Sequence, residues 1–183
     1  MIPRPERYLL RKIARDAIKH GLRHDVVMPL ELDSLPRKVT VEGASFVTLY
    51  LAGALHGCIG TLDAHRPLAA DVAANAFSAA FRDRRFEPVT EQIVDELDIH
   101  IAVLSKPEPI NCQSEAALLS LLKAGEDGLI LEDQQHRATF LPAVWDALHS
   151  PEQFVAALKR KAGLPADYWS ETLRCYRYHT ESF

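Results

Sequence analysis

The chain has 183 residues, 48% hydrophobic and 25% charged, enough to bury a sizeable core in one globular domain and too apolar for a disordered chain. A net charge of -4 and a pI near 6.1 leave no basic footprint for a polyanion, and the run Arg82-Asp83-Arg84-Arg85 is short and interrupted by an acid, which argues against nucleic-acid binding. Three cysteines, Cys58, Cys112 and Cys175, are spaced too widely and irregularly for a disulfide framework or a zinc pattern, and favour free thiols in a reducing compartment.

Taken in chain order, Met1 to Arg7 lack the apolar core of a signal peptide, and no later run is long enough to cross a bilayer, so the expected location is cytoplasmic. Leu10, Ile13, Ala14, Ala17 and Ile18 recur at helical spacing and predict an amphipathic first helix ending near Gly21. His20 and His24 lie four apart, but Gly21 separates them and no acidic third ligand is spaced alongside, so they read as solvated histidines and no metal is expected. Val26 to Glu42, punctuated by Pro29 and Pro36, reads as an extended connector.

Phe46 to Leu51 is rich in β-branched and aromatic residues, and a second extended run follows from Leu55 to Leu62, predicting an antiparallel hairpin with Cys58 on its second strand. Ala69 to Phe81 reads as a helix in which Val72, Ala76, Ala79 and Ala80 form a flat face against a sheet. Arg82 to Pro88 is a charged turn, and Pro88 to Gln92 reads as a short helical start. Leu97 to Leu104 alternates, with Leu97, Ile99, Ile101 and Val103 facing the core and His100 turned away. Pro107 and Pro109 read as the end of that strand, and Ser114-Glu115 opens a helix that Gly125 stops. Gly128 to Glu132 and Arg137 to Leu141 form a second predicted hairpin, Ser150-Pro151-Glu152-Gln153 caps a last helix, and Thr172 to His179 is read as one final strand. Hairpins and helices mix without a repeated strand-helix-strand unit, so the fold class is α+β.

Within this order Leu55-His56-Gly57-Cys58-Ile59-Gly60-Thr61-Leu62 stands out, because it brings a thiol, a histidine and two glycines into one short strand. Its residues support three readings. Cys58 is a nucleophile activated by His56, the two lying on one face about 7 Å apart in a regular strand; or Gly57 and Gly60 let backbone amides approach an anion whose charge partner is Arg66 or Arg84; or the glycines allow close packing and Cys58 is a small core residue. Asn75, amid alanines, either caps a turn or faces the glycine strand. Ser105, Ser114 and Ser150 read as local hydrogen-bonding residues, and Asp95, Glu96 and Asp98 as a solvated cluster.

LHGCIGT resembles the LRGCIGT signature of the AMMECR domain family, whose prokaryotic members are called protein A of the AmmeMemoRadiSam system. Ordered shorter matches continue through Arg66-Pro67-Leu68, Asp71-Val72, Asn75-Ala76, the turn Asp83 to Val89, Leu104-Ser105, Asp127 to Leu131, Ala138 to Pro142, Val144-Trp145 and Lys161 to Leu164. The resemblance implies one α+β domain over residues 1–183, with two unequal lobes and antiparallel hairpins packed with helices. Residues 1–45 are then the N-terminal helix and connector, and 46–183 the motif-bearing region. It implies no known cofactor and an association with Memo-like and radical SAM proteins, which leaves open an enzyme that modifies a small molecule or a protein, or a non-catalytic adaptor beside such partners. His56 replaces the usual arginine of the signature, and His100 stands where an acid is common.

Overall fold

The computed structural model describes residues 1–183. Its elements are α1 (Arg4–His24), α2 (Arg37–Thr40), β1 (Ser45–Leu51), β2 (Ala54–Gly60), α3 (Leu68–Phe81), β3 (Asp98–Leu104), β4 (Glu108–Ile110), α4 (Glu115–Leu121), β5 (Gly128–Asp133), β6 (His136–Phe140), α5 (Pro151–Lys161), β7 (Arg174–Tyr178) and β8 (Thr180–Ser182). Two four-stranded antiparallel sheets, in the orders β2-β1-β3-β8 and β4-β7-β5-β6, make the expected α+β fold. Both hairpins form as read, β1 with β2 and β5 with β6. The chain divides into two compact units, Met1–Leu104 with Glu181–Phe183, and Ser105–Thr180.

In the first unit α1 buries Leu10, Ile13, Ala14, Ala17 and Ile18, the residues whose spacing predicts the helix. Each large one removed from water contributes about 1.5–3 kcal/mol. The helix runs three residues beyond Gly21 and ends where Asp25 turns left-handed and donates its N–H to the Gly21 carbonyl. Helix α3 buries Val72, Ala76, Ala79 and Ala80. These small side chains allow its backbone to approach the sheet closely. Val47 and Leu49 of β1 with Ile99 and Ile101 of β3 supply the sheet side of this core. His100 is exposed on the other face, hydrogen-bonded through Nε2 to Asp98 Oδ2 at 2.8 Å, with its ring edge-on to Tyr50.

The connector differs from its extended reading: Leu32–Ser34 forms one 3-10 turn, and Pro36 sits immediately before α2. A proline next to the first helical residue costs no backbone bond, because that N–H has no intrahelical partner. Residues 91–96 form turns ahead of β3.

In the second unit α4 and α5 cover one face of the sheet. Leu118, Phe154, Val155 and Leu158 pack with Leu129, Leu131 and Cys175. Trp145 is buried and stacks on Phe154 with ring centroids 3.8 Å apart. The Ser114 and Ser150 hydroxyls accept from the N–H groups of Ala117 and Gln153, so both cap helices. Two readings are corrected here. Pro109 lies inside β4, opposite Tyr176 in β7, and is tolerated because β4 is an edge strand. The final extended run is two strands, β7 and β8, which pair in different sheets on either side of His179.

Candidate functional site

Strand β2 carries the glycine segment along the edge of the first sheet. Thr48 lies opposite Cys58 and Leu49 opposite Gly57, but Tyr50 faces Leu55, so a β-bulge leaves His56 without a partner residue. This breaks the alternation that would have placed His56 and Cys58 on one face. His56 instead lies beside Phe86, with ring centroids 6.3 Å apart, and its Nε2 is buried without a hydrogen-bond partner.

The two glycines are close-approach residues. A Cβ on Gly57 would lie 2.2 Å from the Ala79 carbonyl oxygen of α3, and one on Gly60 would lie 2.2 Å from the Phe46 ring. Gly57 thus faces α3, and Cys58 points to the opposite side of the strand. The Cys58 side chain is partly exposed, and the Thr48 hydroxyl donates to its Sγ at 3.3 Å.

The turn after α3 fixes the backbone of Cys58. Its N–H donates to Asp83 Oδ2 at 2.9 Å, while Arg85 Nη2 donates to its carbonyl oxygen at 3.1 Å. Arg85 also forms a forked pair with Asp83, Nε to Oδ1 at 2.8 Å and Nη2 to Oδ2 at 2.7 Å. The Arg85 guanidinium, helped by the N–H groups of Cys58 and Arg85, holds the nearly buried Asp83 carboxyl well below the usual carboxylate range. Arg85 is raised in turn, chiefly by its hydrogen bond to Asp83.

A second buried carboxylate ties the segment's far end to the helix. Asp71 Oδ2 accepts from the Ser45 N–H at 2.8 Å, the Ser45 hydroxyl at 2.7 Å and Asn75 Nδ2 at 2.9 Å. Its Oδ1 accepts from the Thr61 hydroxyl at 2.6 Å and Arg66 Nε at 2.8 Å. Asn75 donates also to the Ser45 carbonyl oxygen at 2.9 Å. Arg66 and Asn75 are therefore joined in one network, and their role in it is to hold β1, the Thr61–Arg66 loop and α3 together.

Among the residues singled out from sequence, the structure joins Gly57, Cys58 and Gly60 on β2 and Arg66 with Asn75 around Asp71. Arg84 is exposed, and the arginine that reaches Cys58 is Arg85. Sequence reasoning does not single out Asp71, Asp83 or Thr48, because the partners of each are distant in sequence: Ser45 and Thr61 for Asp71, and Cys58 for Asp83 and Thr48. The signal that could have found Asp71 is its four-residue spacing from Asn75 on a helix whose other residues, apart from Ser78, are all apolar. No group of three His, Cys, Asp or Glu side chains is arranged to hold a metal ion.

Asp83 gives the site an acid-sensitive contribution to stability. Because its carboxyl is depressed in the folded state, this contribution is fully present above the unfolded value of about 3.9 and is lost as pH falls towards the lower folded value. Asp83→Asn should lower the urea midpoint near neutral pH, and its deficit relative to the parent protein should shrink steadily below about pH 4. A deficit constant down to the acid transition would contradict the pairing.

The model of the AMMECR1 family matches residues 11–183. A protein of Methanothermobacter thermautotrophicus is 38% identical over 188 residues, spanning 100% of this chain and 95% of its own length. One from Methanocaldococcus jannaschii is 35% identical, over 83% of this chain and 78% of its own. The crystal structure of an uncharacterized Pyrococcus horikoshii protein, PH0010, superposes with a TM-score of 0.83 at 31% identity, covering 95% of this chain and 88% of that one. No helix of the present structure is long and apolar enough to cross a membrane. With its glycine-cysteine strand, its α+β fold and these relatives in agreement, the chain belongs to the AMMECR1 family.

Proposed function

We propose that this protein is a thiol-dependent enzyme in which Cys58 captures an electrophilic group from a small molecule or another protein. The observation that carries this reading is the fixing of Cys58, a partly exposed residue, at both its N–H and its carbonyl by one Asp83–Arg85 pair. The Thr48 hydroxyl donates to the sulfur, and the Asp83–Arg85 pair holds the peptide groups on either side of it, so the thiol is held in one position for attack. Attack by the Cys58 thiolate on an acyl carbonyl carbon forms a C–S bond as the leaving group departs, giving a thioester on Cys58. His56 makes no hydrogen bond through Nε2 and stands at a bulge, so the Cys58 proton passes to solvent before attack rather than to its imidazole. Donors whose leaving group needs no protonation, such as thioesters, fit this best. A reducing, cytoplasmic setting keeps such a thiol available.

Intact-mass measurement after incubation with an acyl thioester tests the reading. Single acylation is expected, mapping to Cys58 and absent in Cys58→Ser. Acylation spread over the three cysteines, or none, would contradict it.

A second reading, a non-catalytic component working beside Memo-like and radical SAM proteins, draws support from the two glycines. The space a Cβ would need at Gly57 and Gly60 is taken by Ala79 and Phe46, so both glycines serve close packing, as a strand without chemistry of its own would use them. On this reading Cys58→Ala retains capture of the partner.

A further inference from the structure

The second unit contains a pair of thiols that the Cys58 reading does not involve. The β4–β7 ladder sets Glu108 opposite Arg177 and Ile110 opposite Cys175. Cys112 lies two residues beyond Ile110, which ends β4 and faces Cys175. Cys175 is 3% exposed and belongs to the apolar cluster under α4 and α5, and Cys112 packs against that cluster. The Cys112 sulfur is close enough to act on the Cys175 thiol, while its own S–H points to the Ile110 carbonyl oxygen at 3.6 Å. Cys112 also lines a cavity of about 410 Å³ together with Gln113, Trp169, Ser170, Glu171 and Leu173. One wall of that cavity is fixed from below, because Asp133 accepts hydrogen bonds from Tyr168, Ser170 and Thr172. One sulfur thus opens on a built cavity while the other lies buried behind it.

The charges around the pair differ for its two members. Lys159, fully buried and ion-paired to Glu115 at 2.9 Å, acts on Cys175 from the helix side. Burial pushes the Cys175 thiol up, the neighbouring Cys112 sulfur adds to this, and Lys159 opposes it. Cys175 consequently rests as an unreactive thiol.

We propose that Cys112 and Cys175 are a redox-active dithiol that hydroperoxides entering this cavity convert to a disulfide. The Cys112 thiolate attacks the peroxide oxygen, the O–O bond breaks, and the products are Cys112 sulfenic acid and an alcohol, or water where the oxidant is hydrogen peroxide. The Cys175 sulfur then attacks the Cys112 sulfur. The S–S bond forms, the S–O bond breaks, and hydroxide leaves with the Cys175 proton as water. Two electrons pass from the two sulfurs to one peroxide. Once Cys112 is an uncharged sulfenic acid its repulsion of a Cys175 thiolate is gone, whereas the attraction of Lys159 remains. The new bond would staple the segment that follows edge strand β4 to β7.

The test exposes the full chain to hydrogen peroxide, blocks remaining thiols with iodoacetamide after denaturation, and reads intact mass and linked peptides, in the parent protein and in Cys58→Ser. In Cys58→Ser the expected product takes up no iodoacetamide and has lost about 2 Da, and in the parent protein it differs only by one carbamidomethyl group on Cys58. Both contain a peptide joining Cys112 to Cys175, and dithiothreitol restores the lost mass of about 2 Da. Cys112→Ser and Cys112→Ala, at a half-buried position, should lose that product and leave Cys175 open to alkylation. Two results would overturn the proposal: accumulation of about 32 Da at Cys112 while Cys175 stays alkylatable, or both thiols remaining free under conditions that oxidise free cysteine.

Discussion

Asp71→Asn is expected to destabilise the protein by about 3–5 kcal/mol, the largest loss for any single polar substitution in the chain. The carboxylate has no exposed surface and receives five hydrogen bonds, three on Oδ2 and two on Oδ1. Every partner is a donor. An asparagine keeps one acceptor oxygen and turns its NH2 towards Ser45 and Asn75 or towards Thr61 and Arg66, so at least two buried donors lose their acceptor. The Arg66 guanidinium then lacks its counter-charge. Urea unfolding followed by far-UV circular dichroism should show a lower midpoint with an unchanged slope. Ser45→Ala, which removes one of the five bonds, should cost about 1 kcal/mol. Equal losses for the two variants would show that Asp71 does not organise the network.

Gly57→Ala is expected to cost about 3 kcal/mol or more, although alanine adds only a methyl group. That methyl would sit 2.2 Å from the Ala79 carbonyl oxygen, a backbone atom that cannot rotate away. Relief requires β2 to move off α3. The movement would strain the hydrogen bond between the Cys58 N–H and Asp83, because the turn that bears Asp83 follows directly from α3. Gly57→Ala should therefore change thiol reactivity as well as stability. Gly53→Asn, at a turn residue with φ of 80° and no atoms near its missing Cβ, should cost far less. If the two glycine substitutions had similar effects on the urea midpoint, close strand-helix packing would not be what Gly57 provides.

The parts of the fold that could be read from sequence are those whose signal is local and periodic. The first helix shows in the spacing of Leu10, Ile13, Ala14, Ala17 and Ile18, and the hairpins show in paired extended runs across short gaps. Proline misled twice, in opposite ways. Pro36 read as a breaker yet precedes a helix, and Pro109 read as a terminator yet lies in an edge strand, where its missing N–H costs no ladder bond. The change of sheet at His179 has no local mark, because both segments are extended and only their distant partners differ. At the candidate site Cys58 and its glycines were legible as residue types out of place in ordinary packing. Their partners were not. Which of Arg82, Arg84 and Arg85 reaches β2 depends on the direction of each side chain in the Asp83–Phe86 turn, and three arginines in four positions carry no such information. The bulge at His56 depends on pairing register, which a single strand does not encode.

The central claim, that Cys58 is a positioned and reactive thiol, is tested most directly by timed alkylation of the native protein near neutral pH, with the adduct at each cysteine mapped by mass. Cys58 should be modified faster than Cys112 and Cys175, and Thr48→Val and Arg85→Gln should each slow it, the first by removing the hydrogen bond to the sulfur and the second by releasing the Cys58 carbonyl and leaving the Asp83 carboxylate without its counter-charge. Modification of Cys58 no faster than that of the other two, with rates unchanged in both variants, would contradict the claim.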